Sequence, residues 1–542
     1  MADKKGRFTL SGLATYQYRW LALVVIALGL AIVIIDNTVL NVSIPYILRD
    51  LHAQYSQIQW AISGYSLTIA TVLITIGRLG DMWGRKKIFI AGMLVFGVGS
   101  FTGSVAPSVE ILIFSRGVVQ AIGAAMTLTS ALALLTVEFT GRERAIAFGI
   151  WGAIAGASAS VGPLLGGFLT ASLSWRWSLR INVFIVLAAL AGTVFLIEHR
   201  NNNKQRFDWW GMILSGAGLF CIVFGFIQGR SYGWWRPTGE QVFFGIFRWP
   251  LENISVIPWF FLLGFICLVL FVLIERSLER RGQSPLLRLS HFKNKGFSMG
   301  LIVLCFLALG QFGIFFSLPI FLENVLGYDS LQAGLTLLFS SGFILVAGIV
   351  SGILARKINL KWIIFGGSIC LMAGMILLFL LLNIKSSTFE LAPAFIIYGF
   401  GFGLASSQMN NIIVSSVKRE FAGESSATSV MMRQIGASVG IAIIGTALAG
   451  TLIANAAVII KNDPALPSSV RTLMISRLPG IDFEADEFNI PQDIEAATAA
   501  SLNHDLKQAI TMSTRFALII GLCFVILAAI LLFFMPRYDV DT

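Results

Sequence analysis

Residues 77–87 read Gly-Arg-Leu-Gly-Asp-Met-Trp-Gly-Arg-Lys-Lys, a short polar stretch between two apolar runs of helix length. Two glycines three residues apart, Gly77 and Gly80, predict that one helix end packs closely against a neighbour and then turns. The acid Asp81 and the basic residues after it then lie together at a membrane surface. The stretch therefore predicts a tight loop between two membrane-spanning helices.

The composition of the 542-residue chain is that of an integral membrane protein. Hydrophobic residues make up 56% of the chain and charged residues 12%, whereas about a quarter of the residues in soluble domains are charged. Long apolar segments recur between residues 21 and 535, and about 20 residues suffice to cross a membrane. A soluble fold is excluded, because the chain lacks the polar residues for a soluble exterior.

Hydropathy predicts an all-α protein with fourteen membrane-spanning helices. The segment 229–256, which contains Pro237 and Pro250, is predicted to be an external loop or hairpin. Residues 453–510 carry several acids and are predicted to form a longer external loop that is partly helical. The approximate spans are 21–47, 56–79, 87–105, 108–136, 143–171, 178–197, 209–228, 257–275, 296–322, 331–355, 361–383, 390–416, 423–452 and 511–535.

Loop charge predicts which side of the membrane holds the termini. An even number of helices puts both termini on one side, and the basic loops fall on that same side, as the positive-inside rule requires of the cytoplasm. The net charge of +11 is thereby assigned to membrane orientation and not to nucleic-acid binding. We expect a multi-pass protein of the plasma membrane, which is the inner membrane in a bacterium, with both termini cytoplasmic. The basic loops contain Arg85 to Lys87, Arg142 and Arg144, Arg276 to Lys295, Arg356-Lys357 and Lys418-Arg419.

A short internal similarity divides the chain into two halves. The sequence Gly-Ile-Leu-Ala-Arg-Lys at 352–357 follows the tenth span as residues 77–82 follow the second, which is the position a duplicated transporter predicts. The predicted order is a cytoplasmic N-terminus (1–20), a six-helix half (21–197), two additional helices with loops (198–295), a second six-helix half (296–535) with the external loop 453–510, and a cytoplasmic tail (536–542).

Five segments of the first half and a shorter one of the second half resemble the drug:proton antiporter-2 family of the major facilitator superfamily. Residues 77–87 are similar to its loop signature, G-x-L-[AG]-D-x-x-G-R-[KR]. Residues 36–45, Asp-Asn-Thr-Val-Leu-Asn-Val-Ser-Ile-Pro, resemble D-x-T-[IV]-[VL]-N-[VI]-[AS]-[LI]-P. Residues 116–123 resemble R-x-x-Q-G-x-G, with one additional residue between Arg116 and Gln120 and with Ala121 for one glycine. The resemblance implies two six-helix halves with two extra linker helices between them.

The remaining similarities lie in the fifth, sixth and thirteenth helices. Gly162-Pro163 with Gly166-Gly167 match the antiporter pattern G-P-x-x-G-G, and residues 175–183 are close to W-R-W-x-F-x-I-N-V, with Arg180 at a position that is usually apolar. Arg433-Gln434-Ile435-Gly436 resembles R-Q-x-G. Small residues let helices approach closely, and the resemblance implies that this fifth helix seals the pathway. The predicted sealing residues are Gly156, Gly162, Pro163, Gly166 and Gly167.

Asp36 is the predicted proton-coupling residue. An ionisable side chain within a span costs about 2.5–3.5 kcal/mol on insertion scales, so its presence indicates function. Counting from the outer helix ends at about 1.5 Å per residue places Asp36 and Arg116 at a similar depth. We expect the two to pair and protonation of Asp36 to loosen the pair, while Arg116 stays charged and tunes the acid. The alternative is a purely structural ion pair.

The resemblance implies that the 77–87 stretch is a conformational latch. Asp81 would meet the start of the thirteenth helix near Gly423, where free N–H groups and the helix dipole favour an acid, and would hold the outward-facing state. Arg85 would pair with Glu138, while Glu424 would compete with Asp81 for the same N–H groups. The alternative is an ordinary charged loop that only sets topology. The predicted latch residues are Gly77, Gly80, Asp81, Gly84, Arg85, Lys86 and Glu138.

The substrate pathway is predicted by analogy along the first, second, fourth and fifth helices of each half. Apolar walls with few polar groups suit hydrophobic compounds, and Asp36 would also attract a cation. For Arg433 three partners stay open: an anionic substrate group, Glu424 or backbone carbonyls. The candidates are Asn37, Trp60, Tyr65, Gln120, Trp151, Gln311, Gln408, Asn410, Asn411 and Arg433.

These features predict a proton-coupled secondary transporter that exports hydrophobic small molecules, cations included, by alternating access. Two alternatives stay open: a translocase for lipids or cell-envelope precursors on the same fold, and, more remotely, a membrane sensor or assembly partner without transport. The sequence contains no G-x-x-x-x-G-K-[ST] motif and no nucleophile–base set, so we expect neither an enzyme nor ATP coupling.

The predicted partners follow from this function. They are a hydrophobic substrate, protons, membrane lipids and, where the cell has an outer membrane, a periplasmic adaptor. The five cysteines lie inside apolar runs without metal-binding spacing, so no metal or cofactor is predicted and the proton gradient is the expected energy source.

Overall fold

The computed structural model describes residues 10–53, 55–198, 208–238, 242–243, 247–250, 253–283, 285–418, 421–464, 466–477 and 496–536. Within them the chain forms sixteen α-helices. These are α1 (Leu10–Asp50), α2 (Tyr55–Trp83), α3 (Arg85–Ser104), α4 (Val109–Phe114), α5 (Ala121–Glu138), α6 (Gly141–Ser172), α7 (Trp175–Gly192), α8 (Trp209–Tyr232), α9 (Ile257–Arg280), α10 (Lys295–Asn324), α11 (Ser330–Leu354), α12 (Leu360–Leu381), α13 (Thr388–Ser415), α14 (Ala422–Asn462), α15 (Ser468–Arg477) and α16 (Ala496–Phe534).

Every predicted span corresponds to a helix, with α4 and α5 joined into one span by a π-helical segment, Ser115–Gln120. Thirteen helices of the described residues combine the length and hydropathy of a membrane span. The remaining predicted span is α6, a helix of 32 residues that packs against α1 and α11. The predicted all-α fold is confirmed, and the strands of the described residues are a two-residue antiparallel pair, Val242–Phe243 with Phe247–Arg248, within the segment predicted as a loop or hairpin.

The polar stretch 77–87 is mostly helical, so its prediction as a loop was wrong. α2 continues to Trp83 and α3 begins at Arg85, with Gly84 alone between them. The Asp81–Arg85 ion pair has the i,i+4 spacing of a helix and crosses this junction. Gly84 makes the turn with a φ of 111°, a conformation that side-chain-bearing residues rarely adopt.

The buried apolar residues form two main clusters. One is built from α1 to α3 and α5 to α7 and also includes residues of α8 and α9 and Val430 and Met431 of α14. The other is built from α10 to α14 and α16 and also includes Ala145 of α6. The cores therefore follow the predicted halves, and α6 and α14 are the helices that reach across. The numerical boundaries of the domains stay a prediction.

The two additional helices, α8 and α9, pack on each other, and α8 also packs on α2 and α14. Aromatic rings fill this contact: Phe224 of α8 lies 4.4 Å from Phe260 of α9 and 5.9 Å from Trp60 of α2, between ring centroids. The insert therefore lies against both halves where α2 meets α14.

The predicted external loop at 453–510 is largely helical. α14 continues to Asn462, α15 follows, and α16 begins at Ala496. Ser501 of α16 donates a hydrogen bond to Asp463 at the end of α14, which ties the two extended helices together. The acids predicted at 482–495 lie outside the described residues.

Candidate functional site

The structure places Asp81 at the start of α14. Its Oδ1 accepts a hydrogen bond from the backbone N–H of Gly423 and its Oδ2 from that of Glu424, both at 3.2 Å. Arg85 adds a 2.9 Å ion pair to Oδ1, and Asp81 is 3% exposed. A carboxylate here satisfies N–H groups that the helix leaves free and lies at the positive end of the helix dipole. We call this contact the latch, and the end of the bundle that carries it the latch side.

The predicted competition between Glu424 and Asp81 does not occur, because the Glu424 side chain points elsewhere. Its carboxylate accepts a hydrogen bond from the backbone N–H of Arg288 and lies 3.4 Å from His291 Nδ1. The Arg288 guanidinium in turn stacks over Phe421, 4.1 Å from the ring centroid. The segment that follows α9 is thus fastened to the first turn of α14.

Glu198 caps the start of α3, a role that sequence reasoning missed. Its carboxylate accepts hydrogen bonds from the backbone N–H groups of Lys86 and Lys87, both at 3.2 Å. The Lys86 ammonium donates to the carbonyl of Leu196 at 2.9 Å. Glu138 accepts a hydrogen bond from the N–H of Ile197, and its pairing with Arg85 stays a prediction.

The two glycines of the latch differ in what surrounds them. A Cβ on Gly77 would overlap Ala427 and lie 2.9 Å from the carbonyl oxygen of Gly423, so Gly77 permits the close contact with α14. A Cβ on Gly80 would meet nothing within 4 Å. The expectation that both glycines serve close packing was therefore wrong for Gly80.

On the latch side the two halves also meet along α6 and α11. A Cβ on Gly352 would lie 2.9 Å from Ile146 Cα, and one on Gly348 2.5 Å from the carbonyl oxygen of Gly149. Gln408 of α13 donates a hydrogen bond to the carbonyl of Ala145 at 3.2 Å. These contacts all lie toward the latch-side ends of their helices, so the structure is closed on that side.

Farther from the latch side, α6 changes its partner. A Cβ on Gly156 would overlap Ile344 of α11, whereas one on Gly162 would overlap Thr38 of α1, and one on Gly166 would lie 2.6 Å from the carbonyl oxygen of Val39. Gly167 has nothing within 4 Å, so its predicted close packing is wrong, and the Pro163 side chain lies outside the described residues. The glycines thus seal α6 against the second half near the latch and against its own half beyond it.

Asp36 and Arg116 form a buried ion pair in the first half. Arg116 Nη1 lies 2.7 Å from Asp36 Oδ2, and both residues are 1% exposed. The other carboxylate oxygen, Oδ1, accepts hydrogen bonds from Gln120 at 2.8 Å and from Asn182 at 2.6 Å. Tyr65 lies under the guanidinium, 5.0 Å from its carbon to the ring centroid. Both oxygens of the acid are therefore engaged.

A family model described as Major Facilitator Superfamily matches residues 26–441. The chain belongs to the major facilitator superfamily. It is 33% identical to the Probable actinorhodin transporter of Streptomyces coelicolor, over 82% of this chain and 75% of that protein. It is 32% identical to the Puromycin resistance protein pur8 of Streptomyces alboniger, over 80% of this chain and 82% of that protein.

The fold is also that of solved major facilitator structures. The proton:xylose symporter XylE, solved with 6-bromo-6-deoxy-D-glucose, superposes with a TM-score of 0.62 over 97% of this chain and 98% of that chain, at 11% identity. At this identity the likeness concerns the fold alone. As a member of the superfamily, the protein is a transporter and not an enzyme.

Two features of this major facilitator site had not been predicted. Ser100 Oγ accepts hydrogen bonds from Gln120 at 3.2 Å and from Asn182 at 2.9 Å, and so orients both amides toward Asp36. The π-helical segment around Arg116 and Gln120 brings both side chains to the same acid, and such segments are frequent at functional sites. The sequence signals for Asn182 were its place as the asparagine of the W-R-W-x-F-x-I-N-V pattern and its polar amide within an apolar helix.

Several predicted pathway residues lie in closed packing. Tyr65 and Gln120 belong to the Asp36 cluster, and Trp60 packs against Phe224 of the insert. Gln408 also donates to Ser351 at 3.0 Å and accepts from Asn411 at 3.2 Å. Trp151 is 4% exposed among the latch-side contacts. The candidates that keep an accessible surface are Asn37, Trp60, Gln311, Asn410 and Arg433.

The Trp-Arg-Trp motif ties the far-side helix ends of the first half together. Trp175 Nε1 donates to Asp50 at 2.9 Å, and Arg176 pairs with the same acid at 3.0 Å. Arg180, the departure from the family pattern, stacks on Trp177 with its guanidinium carbon 5.5 Å from the ring centroid. The motif therefore stiffens this half.

Proposed function

We propose that this protein is a proton-coupled antiporter of the drug:proton antiporter-2 type that exports hydrophobic small molecules by alternating access. The observation that carries the proposal is the Asp36 cluster: a membrane-buried carboxylate whose oxygens bind Arg116, Gln120 and Asn182. Protonation removes the charge that holds this cluster together. The names of the relatives, a probable actinorhodin transporter and a puromycin resistance protein, support export as the direction of transport.

The latch is the second part of the proposed cycle. Asp81 joins α2 of the first half to α14 of the second, and α6 closes on α11 beside it. With the latch side cytoplasmic, closure on that side is assigned to the outward-facing state of the proposed cycle. A proton that reaches Asp36 from outside weakens the ion pair with Arg116, and the first half then rearranges and releases the latch. Inward movement of one proton supplies about 2.3 kcal/mol per 100 mV of membrane potential.

The proposal places the chain in the plasma membrane with both termini in the cytoplasm. Its partners are a hydrophobic substrate, protons and the surrounding lipids, and in a cell with an outer membrane a periplasmic adaptor would carry the substrate onward. The proton gradient serves as the energy source without a cofactor.

The test is proton movement in proteoliposomes that carry a pH-sensitive dye, challenged with a panel of hydrophobic compounds. We expect substrate-dependent proton movement in the wild type, loss of it in Asp36→Asn, and retention in Asp50→Asn, because Asp50 lies in an exposed ion pair outside the cluster. Equal coupling in wild type and Asp36→Asn would place the proton site elsewhere. If the wild type responds to no compound, the exporter proposal is wrong and lipid flipping becomes the reaction to assay.

A further inference from the structure

Arg433 is a membrane-embedded arginine that has no partner among the residues that the structure describes. It lies deep in the protein, yet part of its side chain is accessible. Residues 432–435 are partly exposed, whereas 422–431 before them and 436–438 after them are buried. The guanidinium forms no hydrogen bond or ion pair with any residue that the structure describes. An accessible surface at this depth is what the wall of an internal opening provides.

The position of Arg433 on α14 places it where the two halves meet. Just before it, Val430 and Met431 belong to the apolar cluster of the first half. Just after it, a Cβ on Gly436 would lie 2.6 Å from the carbonyl oxygen of Cys305, on α10 of the second half. Arg433 therefore lies between the contacts of α14 with one half and with the other, where a cargo passes in alternating access.

Of the three partners that the sequence left open for Arg433, the described residues provide neither of the two that belong to the protein. Glu424 is engaged by Arg288 and His291, and the described residues place no backbone carbonyl within hydrogen-bond distance of the guanidinium. An anionic group of the cargo is the partner that remains. A buried arginine without an anion is costly, so binding such a group is favourable.

A second hydrogen-bond donor, the Asn410 amide, is held by Ser429, which lies one helical turn from Arg433. Ser429, four residues earlier on the same face of α14, donates a 2.6 Å hydrogen bond to Asn410 Oδ1. This bond uses the carbonyl of the Asn410 amide and fixes its orientation. The Asn410 NH2 group donates to no described residue, and the side chain is partly exposed. Arg433 and Asn410 therefore present donors about one helical turn apart along α14.

The accessible charge at this level is positive. Asp36, the acid expected to attract a cation, is 1% exposed and has both oxygens engaged, so it presents no free negative charge. We propose that Arg433 and Asn410 form a subsite for an ionised acidic group, a carboxylate or an oxyanion of similar size, on a hydrophobic substrate. This inference rests on the proposed export function and reverses the expectation that the cargo includes cations. Guanidinium groups suit it because they bind carboxylates with two parallel hydrogen bonds.

The experiment uses three matched probes on the purified full-length protein: naphthalene-2-carboxylate, its methyl ester and 2-naphthylmethylammonium. Their dissociation constants are measured for the wild type, Arg433→Gln, Arg433→Lys and Asn410→Asp, with Arg180→Gln as the control for loss of a cation elsewhere. The same probes are then assayed for transport in proteoliposomes. Ester binding serves as the check that each variant is folded.

We expect the wild type to prefer the carboxylate over the ester by about 10-fold or more, the range of a charge-assisted hydrogen bond. Arg433→Gln and Asn410→Asp abolish this preference and keep ester binding. Arg433→Lys keeps part of the preference, and Arg180→Gln keeps all of it.

Equal binding of carboxylate and ester by the wild type, or a preference that survives in Arg433→Gln, overturns the subsite. If the ester or the amine is transported and the carboxylate is not, the exporter stands and the subsite is wrong. If none of these probes and no compound of the hydrophobic panel is transported, the exporter proposal itself is wrong.

Discussion

The Asp36 cluster and the surroundings of Arg433 use the same kind of cation in opposite ways. In the Asp36 cluster, which we call the closed region, Arg116 is 1% exposed and pairs with an acid that two amides also bind. In the second region, the surroundings of Arg433, this arginine is partly exposed and has no partner among the described residues. In the proposed function, the arginine that has its own acid is part of a switch operated by a proton. In the further inference, the arginine without an acid among the described residues binds an anionic group of the substrate.

The largest contrast between the two regions is expected in stability. Arg116→Gln leaves the Asp36 charge buried and unpaired, which costs about 3–5 kcal/mol. Arg433→Gln removes a cation that has no partner among the described residues, so we expect the free energy of unfolding to stay unchanged or to rise. Thermal unfolding in detergent measures both, and the double variant Asp36→Asn/Arg116→Gln should recover most of the loss. Equal destabilisation by the two single variants would erase the distinction between the regions.

Asn182 tests whether the closed region depends on its amide donors. Asn182→Leu removes a 2.6 Å hydrogen bond to the Asp36 carboxylate, and hydrogen bonds to charged groups contribute about 1.5–3 kcal/mol. The matched change Asn37→Leu, one residue from Asp36 but exposed, should alter stability by less than about 0.5 kcal/mol. Chemical unfolding of both variants provides the comparison, and a larger loss for Asn37→Leu would contradict the assignment.

The two latch glycines test whether close packing of α2 against α14 holds the latch side closed. Gly77→Ala places a methyl group against Ala427, whereas Gly80→Ala meets nothing within 4 Å. Overpacking costs about 1–3 kcal/mol, so Gly77→Ala should shift the population away from the latched conformation. Spin-label distances between the far-side ends of α1 and α10 report this shift. The same shift in Gly80→Ala would show that the change in helix propensity, and not the contact with Ala427, causes the shift.

The smallest expected effect concerns the ring beneath Arg116. Tyr65→Leu removes the cation–π contact at 5.0 Å, a loss of about 0.5–2 kcal/mol. Tyr65→Phe keeps the ring and deletes a buried hydroxyl that has no hydrogen-bond partner among the described residues, so we expect it to be neutral or slightly stabilising. Thermal unfolding of the two variants separates the contribution of the ring from that of the hydroxyl. A larger loss of stability for Tyr65→Phe than for Tyr65→Leu would contradict the cation–π role.

The sequence was most informative where one-dimensional rules suffice. Helix lengths follow from apolar runs, and counting residues from the helix ends brought Asp36 and Arg116 to the same depth, where the structure pairs them. The acid at Asp81 and the free N–H groups at Gly423 are likewise visible from the sequence, because helix starts and charge are local properties.

The rest depends on how helices are rotated and on contacts between distant segments. Asn182 and Ser100 face Asp36 only because α7 and α3 pack in one orientation, which periodicity within nearly uniform apolar helices does not reveal. The Glu424 side chain is directed by a backbone N–H 136 residues away in sequence. The helical character of residues 80–83 was missed because polar residues were taken to end the span.

The fastening of Glu424 to the segment after α9 has a consequence for ancestry. Arg288 and His291, which hold this buried acid, belong to the connection that the two additional helices create. A chain with the same halves but without α8 and α9 would leave the acid buried and without these partners, which is costly. An acid at the third residue of α14 and the two-helix insertion should therefore be inherited together, and twelve-helix relatives should carry an uncharged residue there.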